Sequence, residues 1–152
     1  LVFTMAVDHW GDACILVPWA LYLNTGDKEL LKKMYPTMQK YIKACKFWAN
    51  LFSVGKYKYI WHLFHHYGDW VAPGVSMWEC MFRGKYTATA CLSHSSAIME
   101  RIAGILGKDD DVAMYRKLHN NTADAYSSIL MDENSKLRAK KEFQTGYVLP
   151  LY

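Results

Sequence analysis

Two stretches of this chain follow one plan: LNTGDKELLKKMY at 23–35 and LGKDDDVAMY at 106–115 each run from a glycine turn through an acid into an apolar-striped helix and a tyrosine. Gly26 and Gly107 have the freedom to close a helix in the left-handed region, and the acids behind them suit the start of the next helix. Periodicity predicts four helices, over about 12–25, 27–50, 86–106 and from 109 onward. Leu30, Met34, Met38, Tyr41, Ile42, Cys45 and Trp48 stripe the second, which Pro36 should bend or break. Ala90, Cys91, Ala97, Ile98, Ile102 and Ile105 face inward from the third. The chain is therefore expected to be all-α, built of two αα-hairpins with tight turns at one end.

Tight turns at one end force the start of the first helix, the long connection at about 51–85 and the segment after Met131 to meet at the other. The connection holds Phe52, Tyr57, Tyr59, Trp61, Phe64, Tyr67, Trp70, Trp78 and Phe82, and the same end gains Asp8, Asp12, Asp69 and Glu79. Rings beside fixed carboxylates suit sugars, whose C–H faces stack on indoles while charged oxygens orient their hydroxyls. Other classes find little support. A net charge of +4 is spread without a cluster of basic residues, so no nucleic-acid partner is expected. No uncharged run nears the roughly 18 residues of a membrane span, and no glycine-rich phosphate loop calls for a nucleotide or flavin cofactor. Cys14, Cys45, Cys80 and Cys91 lack metal spacing and read as buried free thiols. His62 and His66 share an i, i+4 spacing beside His65, yet no acid completes a zinc pattern, so no metal is expected. Residues 1–8 show no secretory leader, and the compartment stays open.

Five motifs in order carry a resemblance that spans nearly the whole chain: HWGDACILVPWALY at 9–22, YGDWVAPG at 67–74, RGKYTATA at 83–90, LGK at 106–108 and QTGYVLPLY at 144–152. Together they resemble the catalytic barrel of bacterial α-L-rhamnosidases, glycoside hydrolase family 78, in the six-hairpin glycosidase superfamily. The resemblance implies that residues 1–152 are part of an (α/α)6 barrel that releases terminal α-L-rhamnose with inversion. Inversion needs one carboxylic acid and one carboxylate standing roughly 6.5–9.5 Å apart. In this family both are Glu residues in segments that flank the motifs above, so no catalytic residue is expected within this chain. With two of the six hairpins present, the chain looks like the middle of a larger enzyme, inactive alone, whose partner is the rest of the barrel or a second copy.

The resemblance assigns sugar binding to Asp12, Trp10, Trp19 and Trp70, with a rhamnose-containing glycoside or polysaccharide as the ligand. Two of them have a plainer alternative: Trp19 follows an apolar run and suits a core, and Asp12 stands where a helix N-cap would. Asp69 reads as a turn-former after Gly68, His94 as a core or interface residue, and Glu79 as an exposed loop residue. The rival function is a non-catalytic helical-repeat module that binds glycan or peptide through the aromatic rim.

Overall fold

The computed structural model describes residues 6–62, 66, 68–69 and 72–151. Among them the chain is all-α: α1 (Ala13–Thr25), α2 (Lys28–Asn50), α3 (Met77–Ile105), α4 (Asp109–Ala125) and the short α5 (Gln144–Val148). The first tight turn forms as its residues dictate. Gly26 adopts φ +69° and its N–H bonds the Tyr22 carbonyl, while Asp27 accepts from Leu30 N at 3.0 Å to cap α2. The second turn pairs Gly107 at φ +67° with three aspartates in the first turn of α4.

The repeated tyrosine ends in the core in both copies, with Tyr35 and Tyr115 buried. Tyr35 donates to Asp111 at 2.7 Å, which ties the two hairpins at their tight-turn end. The stripe of α2 centres on Leu31, Tyr35, Met38, Ile42, Cys45 and Trp48, so Leu30 and Met34 sit only at its edge. Pro36 does not break α2 apart: the helix is continuous from Lys28 to Asn50. Both Pro36 and Lys32, whose carbonyl loses its donor, face solvent, where water replaces the missing bond.

The largest departure lies in the third helix, which begins at Met77 rather than near residue 86. The connection is thus 51–76, and Trp78, Glu79 and Phe82 stand on the first two turns of α3. Ser76 caps it by accepting from Glu79 N at 3.3 Å, and Glu79 reaches Arg83 one turn on. The Ser-x-x-Glu spacing is a capping-box signature that was legible in the sequence.

Helix α3 is the hub, buried on nearly every side between Cys80 and Ala103. Its C-terminal half packs with α1, α2 and α4 into one core around Leu31, Met38, Trp61, Leu92, Met99 and Ile102. Its N-terminal half joins Ile60, Tyr126, Leu130, Leu137 and Phe143 in a second. Helix α4 ends at Ala125 in a π-turn over Tyr126–Leu130, and the Tyr126 hydroxyl donates to the Gly146 carbonyl at 2.6 Å. Among the described residues no helix is long and apolar enough to cross a membrane.

Unlike the amphipathic α2, α1 is apolar almost all round, and Val17, Leu21 and Leu23 are 54%, 46% and 63% exposed. Such a face does not suit the polar end cap of a solenoid.

Candidate functional site

Small and polar residues recur along one face of the otherwise apolar α3, at Gly84, Thr87, Cys91 and Ser95. Each meets a residue from outside the helix. Gly84 lies against His66, Thr87 Oγ1 donates to Asp8 Oδ2 at 3.0 Å, Cys91 Sγ is 3.7 Å from His9 Nδ1, and Ser95 Oγ donates to Asp12 Oδ1 at 2.6 Å. The 8–12 segment therefore runs along α3 in register with this stripe.

Asp12 is buried, yet its side chain does not cap α1. Its carboxylate turns back instead, and Oδ2 accepts from His9 N at 2.8 Å. That bond holds His9 at φ +60°, a left-handed backbone that non-glycine residues seldom adopt without support. Gly11 allows the turn to lie close on Tyr41, whose hydroxyl donates to the Val7 carbonyl at 3.0 Å. The result is a rigid turn whose middle residue, Trp10, is 67% exposed.

Beside this turn lies a cavity of about 230 Å³, lined by His9, Asp12, Leu16, Ala90, Cys91, His94, Ser95 and Leu149. It is smaller than the roughly 300–1,000 Å³ of drug-sized ligand pockets and has room for one small ligand. Among the described residues no Trp, Tyr or Phe lines it. Of the connection's described rings, Trp61 is buried in the core and Tyr59 packs against it, while Phe52 and Tyr57 are exposed, as are Trp78 and Phe82 on α3.

The four assigned residues separate. Asp12 lines the cavity, Trp10 stands on the turn beside it, and Trp70 lies outside the described residues. Trp19 is two turns further along α1, packed against the core and stacked on Tyr22 with ring centroids 5.7 Å apart. It follows its apolar neighbours inward and does not line the cavity.

The carboxylates are spread along α3 rather than gathered at one point, with Glu79 in its first turn, Asp8 at Thr87 and Asp12 at Ser95, and each is committed to a protein donor. Asp8 accepts from His66 Nδ1 at 3.1 Å as well as from Thr87, Asp69 accepts from Thr145 Oγ1 at 2.7 Å, and Glu79 pairs with Arg83. Arg83 in turn lies under the Phe143 ring, 4.7 Å from its centroid. His62 bonds the Ile60 carbonyl, so the two histidines with i, i+4 spacing serve different partners. Sequence reasoning missed Ser95, Thr87, His66, Cys91 and Leu149. A polar stripe at i, i+4, i+8 within an apolar helix is the signal that marks the first two and Cys91.

Burial raises the pKa of Asp12 above its ordinary 3.8, against the lowering effect of the Ser95 and His9 hydrogen bonds; nearby Asp8 raises it further. The sign for stability follows. Below pH 3.8 the carboxyl is protonated folded or unfolded and full stability is present; as pH rises from there through the folded pKa, stability is lost. Asp12→Asn in the complete protein is expected to remove this fall as pH rises above 3.8. Parallel denaturation midpoints for the two proteins across that range would refute it. Burial, then the charges of Asp12 and Asp8, push the Cys91 thiol up as well, so it is no nucleophile near neutral pH. Cys14 is raised to about 11 by burial and by Asp12. All four cysteines are free, Cys45 and Cys80 buried, Cys14 and Cys91 only partly so.

The family model for the bacterial alpha-L-rhamnosidase 6 hairpin glycosidase domain matches residues 4–152. Three curated relatives carry the name alpha-L-rhamnosidase. That of Formosa agariphila is 28% identical over 93% of this chain, that of Alteromonas sp. (strain LOR) 30% over 93%, and that of Streptomyces avermitilis 30% over 95%. The chain spans 15%, 15% and 12% of their respective lengths. No solved structure matches it.

Proposed function

Since this chain belongs to the six-hairpin glycosidase domain family of bacterial α-L-rhamnosidases, we propose that it forms part of the sugar-holding end of an enzyme that hydrolyses terminal α-L-rhamnosides. The observation that carries this reading is the turn at 8–12. Two buried carboxylates hold it on α3 so that Trp10 projects outward beside a small, largely apolar cavity into which Asp12 and Ser95 bring polar groups. An exposed indole fixed by a rigid backbone offers a stacking face with little entropy to lose, and Asp12 has remaining lone pairs for a sugar hydroxyl in the cavity. Trp70, two residues after Gly68, supplies the second ring.

The hydrolysis inverts the anomeric centre, and its acid and base come from segments other than this one. The commitment of Asp8, Asp69 and Glu79 to protein donors supports that division, because a general acid or base must be open to substrate and water. Other hairpins of the barrel cover the apolar face of α1 at Val17 and Leu21. The substrate is a rhamnose-containing glycoside or polysaccharide.

The complete protein is expected to release L-rhamnose from p-nitrophenyl α-L-rhamnoside, with the β-anomer appearing first in the proton NMR spectrum. Absence of hydrolysis would sink the reading, and initial formation of the α-anomer would sink inversion. Trp70→Ala should lose most of this activity while the protein stays folded; near-normal kinetics would remove Trp70 from the site.

A further inference from the structure

We infer that Thr87 is a positioning residue for sugar binding: acting through Asp8, it fixes both the 8–12 turn and the chain at His66 and Gly68 on one face of α3. The inference rests on the rhamnosidase reading for its ligand, but its geometry stands apart from that. Asp8 is 3% exposed, His66 3% and Thr87 0%, and they come from three separate parts of the chain. Asp8 Oδ1 takes the His66 Nδ1–H of the connection and Oδ2 the Thr87 hydroxyl of α3, which also lies 2.9 Å from the Gly84 carbonyl oxygen. His9 Nε2 stands 4.0 Å from the same carboxylate.

Two close approaches lock the arrangement. Gly84 leaves room for His66, and Gly68, at φ +60°, sits against the Cys80 carbonyl one turn earlier on the helix. The His66 ring meets Trp61 edge-on, with centroids 4.7 Å apart. Trp10 follows Asp8 by two residues and Asp69 follows His66 by three, so a displaced Asp8 would shift both segments together. Thr87 is not among the cavity-lining residues, so any effect of it on sugar binding passes through Asp8.

The test uses the complete protein with Thr87→Val, which keeps the shape and removes the hydroxyl, and Thr87→Ser, which restores it. In Thr87→Val, amide hydrogen exchange should speed up in both 7–12 and 66–69 and stay unchanged at the Gly26 and Gly107 turns, with Thr87→Ser close to wild type. The KM for p-nitrophenyl α-L-rhamnoside should rise about tenfold while kcat stays within about twofold, because the acid and base are untouched. Asp8→Asn, which keeps one accepting oxygen and turns the other into an N–H that the Thr87 hydroxyl can accept, should fall between the variants in both readouts. Faster exchange in only one segment, or in neither, overturns the clamp. Faster exchange in both with an unchanged KM overturns the positioning role. Should the wild-type protein hydrolyse no rhamnoside, the functional reading fails and with it the sugar role, while the exchange pattern still decides whether Thr87 clamps the two segments.

Discussion

Asp12→Ala in the complete protein is expected to lower stability by about 2–4 kcal/mol and to reduce rhamnoside kcat/KM at least about a hundredfold. Its two donors come from different elements, the Ser95 hydroxyl on α3 and the His9 N–H in the turn, and both lose their acceptor. Relief of the buried charge offsets part of the loss, but the left-handed His9 is then unsupported and the turn that carries Trp10 loosens. Trp10→Ala is the contrasting case. With the ring 67% exposed, stability should change by no more than about 0.5 kcal/mol. The kcat/KM should nevertheless fall roughly tenfold to a hundredfold, because one stacked indole is worth about 1.4–2.8 kcal/mol at that scale. Thermal unfolding and steady-state kinetics on both variants separate the two roles. A Trp10→Ala enzyme with wild-type kinetics would end its assignment as a sugar-stacking ring, and an Asp12→Ala protein as stable as wild type would refute the anchor.

Gly68→Ala is expected to be the most damaging of the glycine substitutions at left-handed positions, costing about 2–4 kcal/mol and most of the activity. Two effects combine there. Alanine at φ +60° is strained, and its Cβ would overlap the Cys80 carbonyl oxygen, a backbone atom inside α3 that cannot swing aside. Gly26→Ala isolates the first effect, since φ is +69° and nothing lies within 4 Å of the added carbon. It should cost only about 1–2 kcal/mol. Equal losses in the two variants, read from denaturant midpoints, would show that the chain at Gly68 does not press on α3 as described.

The ease of reading the two hairpin turns, against the difficulty of reading the site, has a physical origin. Gly26 with Asp27, and Gly107 with the three aspartates behind it, act on backbone groups within one turn of themselves. Their chemistry is local and therefore visible. The start of α3 is written locally as well, in Ser76 and Glu79, a capping pair set among aromatic residues. Pro36 misled, because breaking a helix depends on whether the freed carbonyl meets water.

The site depends on partners far apart in the chain. Ser95 lies 83 residues from Asp12, Thr87 79 from Asp8, and His66 58 from Asp8. Trp10 and Trp19 show the limit most clearly. They belong to one short motif and are the same residue type, yet one is exposed beside the cavity and the other packs on the core. Residue type and spacing settle which segments are helical, where they stop, and that their long connections share an end, since those outcomes need only neighbours along the chain. Which ring faces outward, and which carboxylate becomes an anchor, follows from the face of α3 that each segment meets. That choice is made by burial and hydrogen bonding across the packed helices, where a partner is selected by position in space.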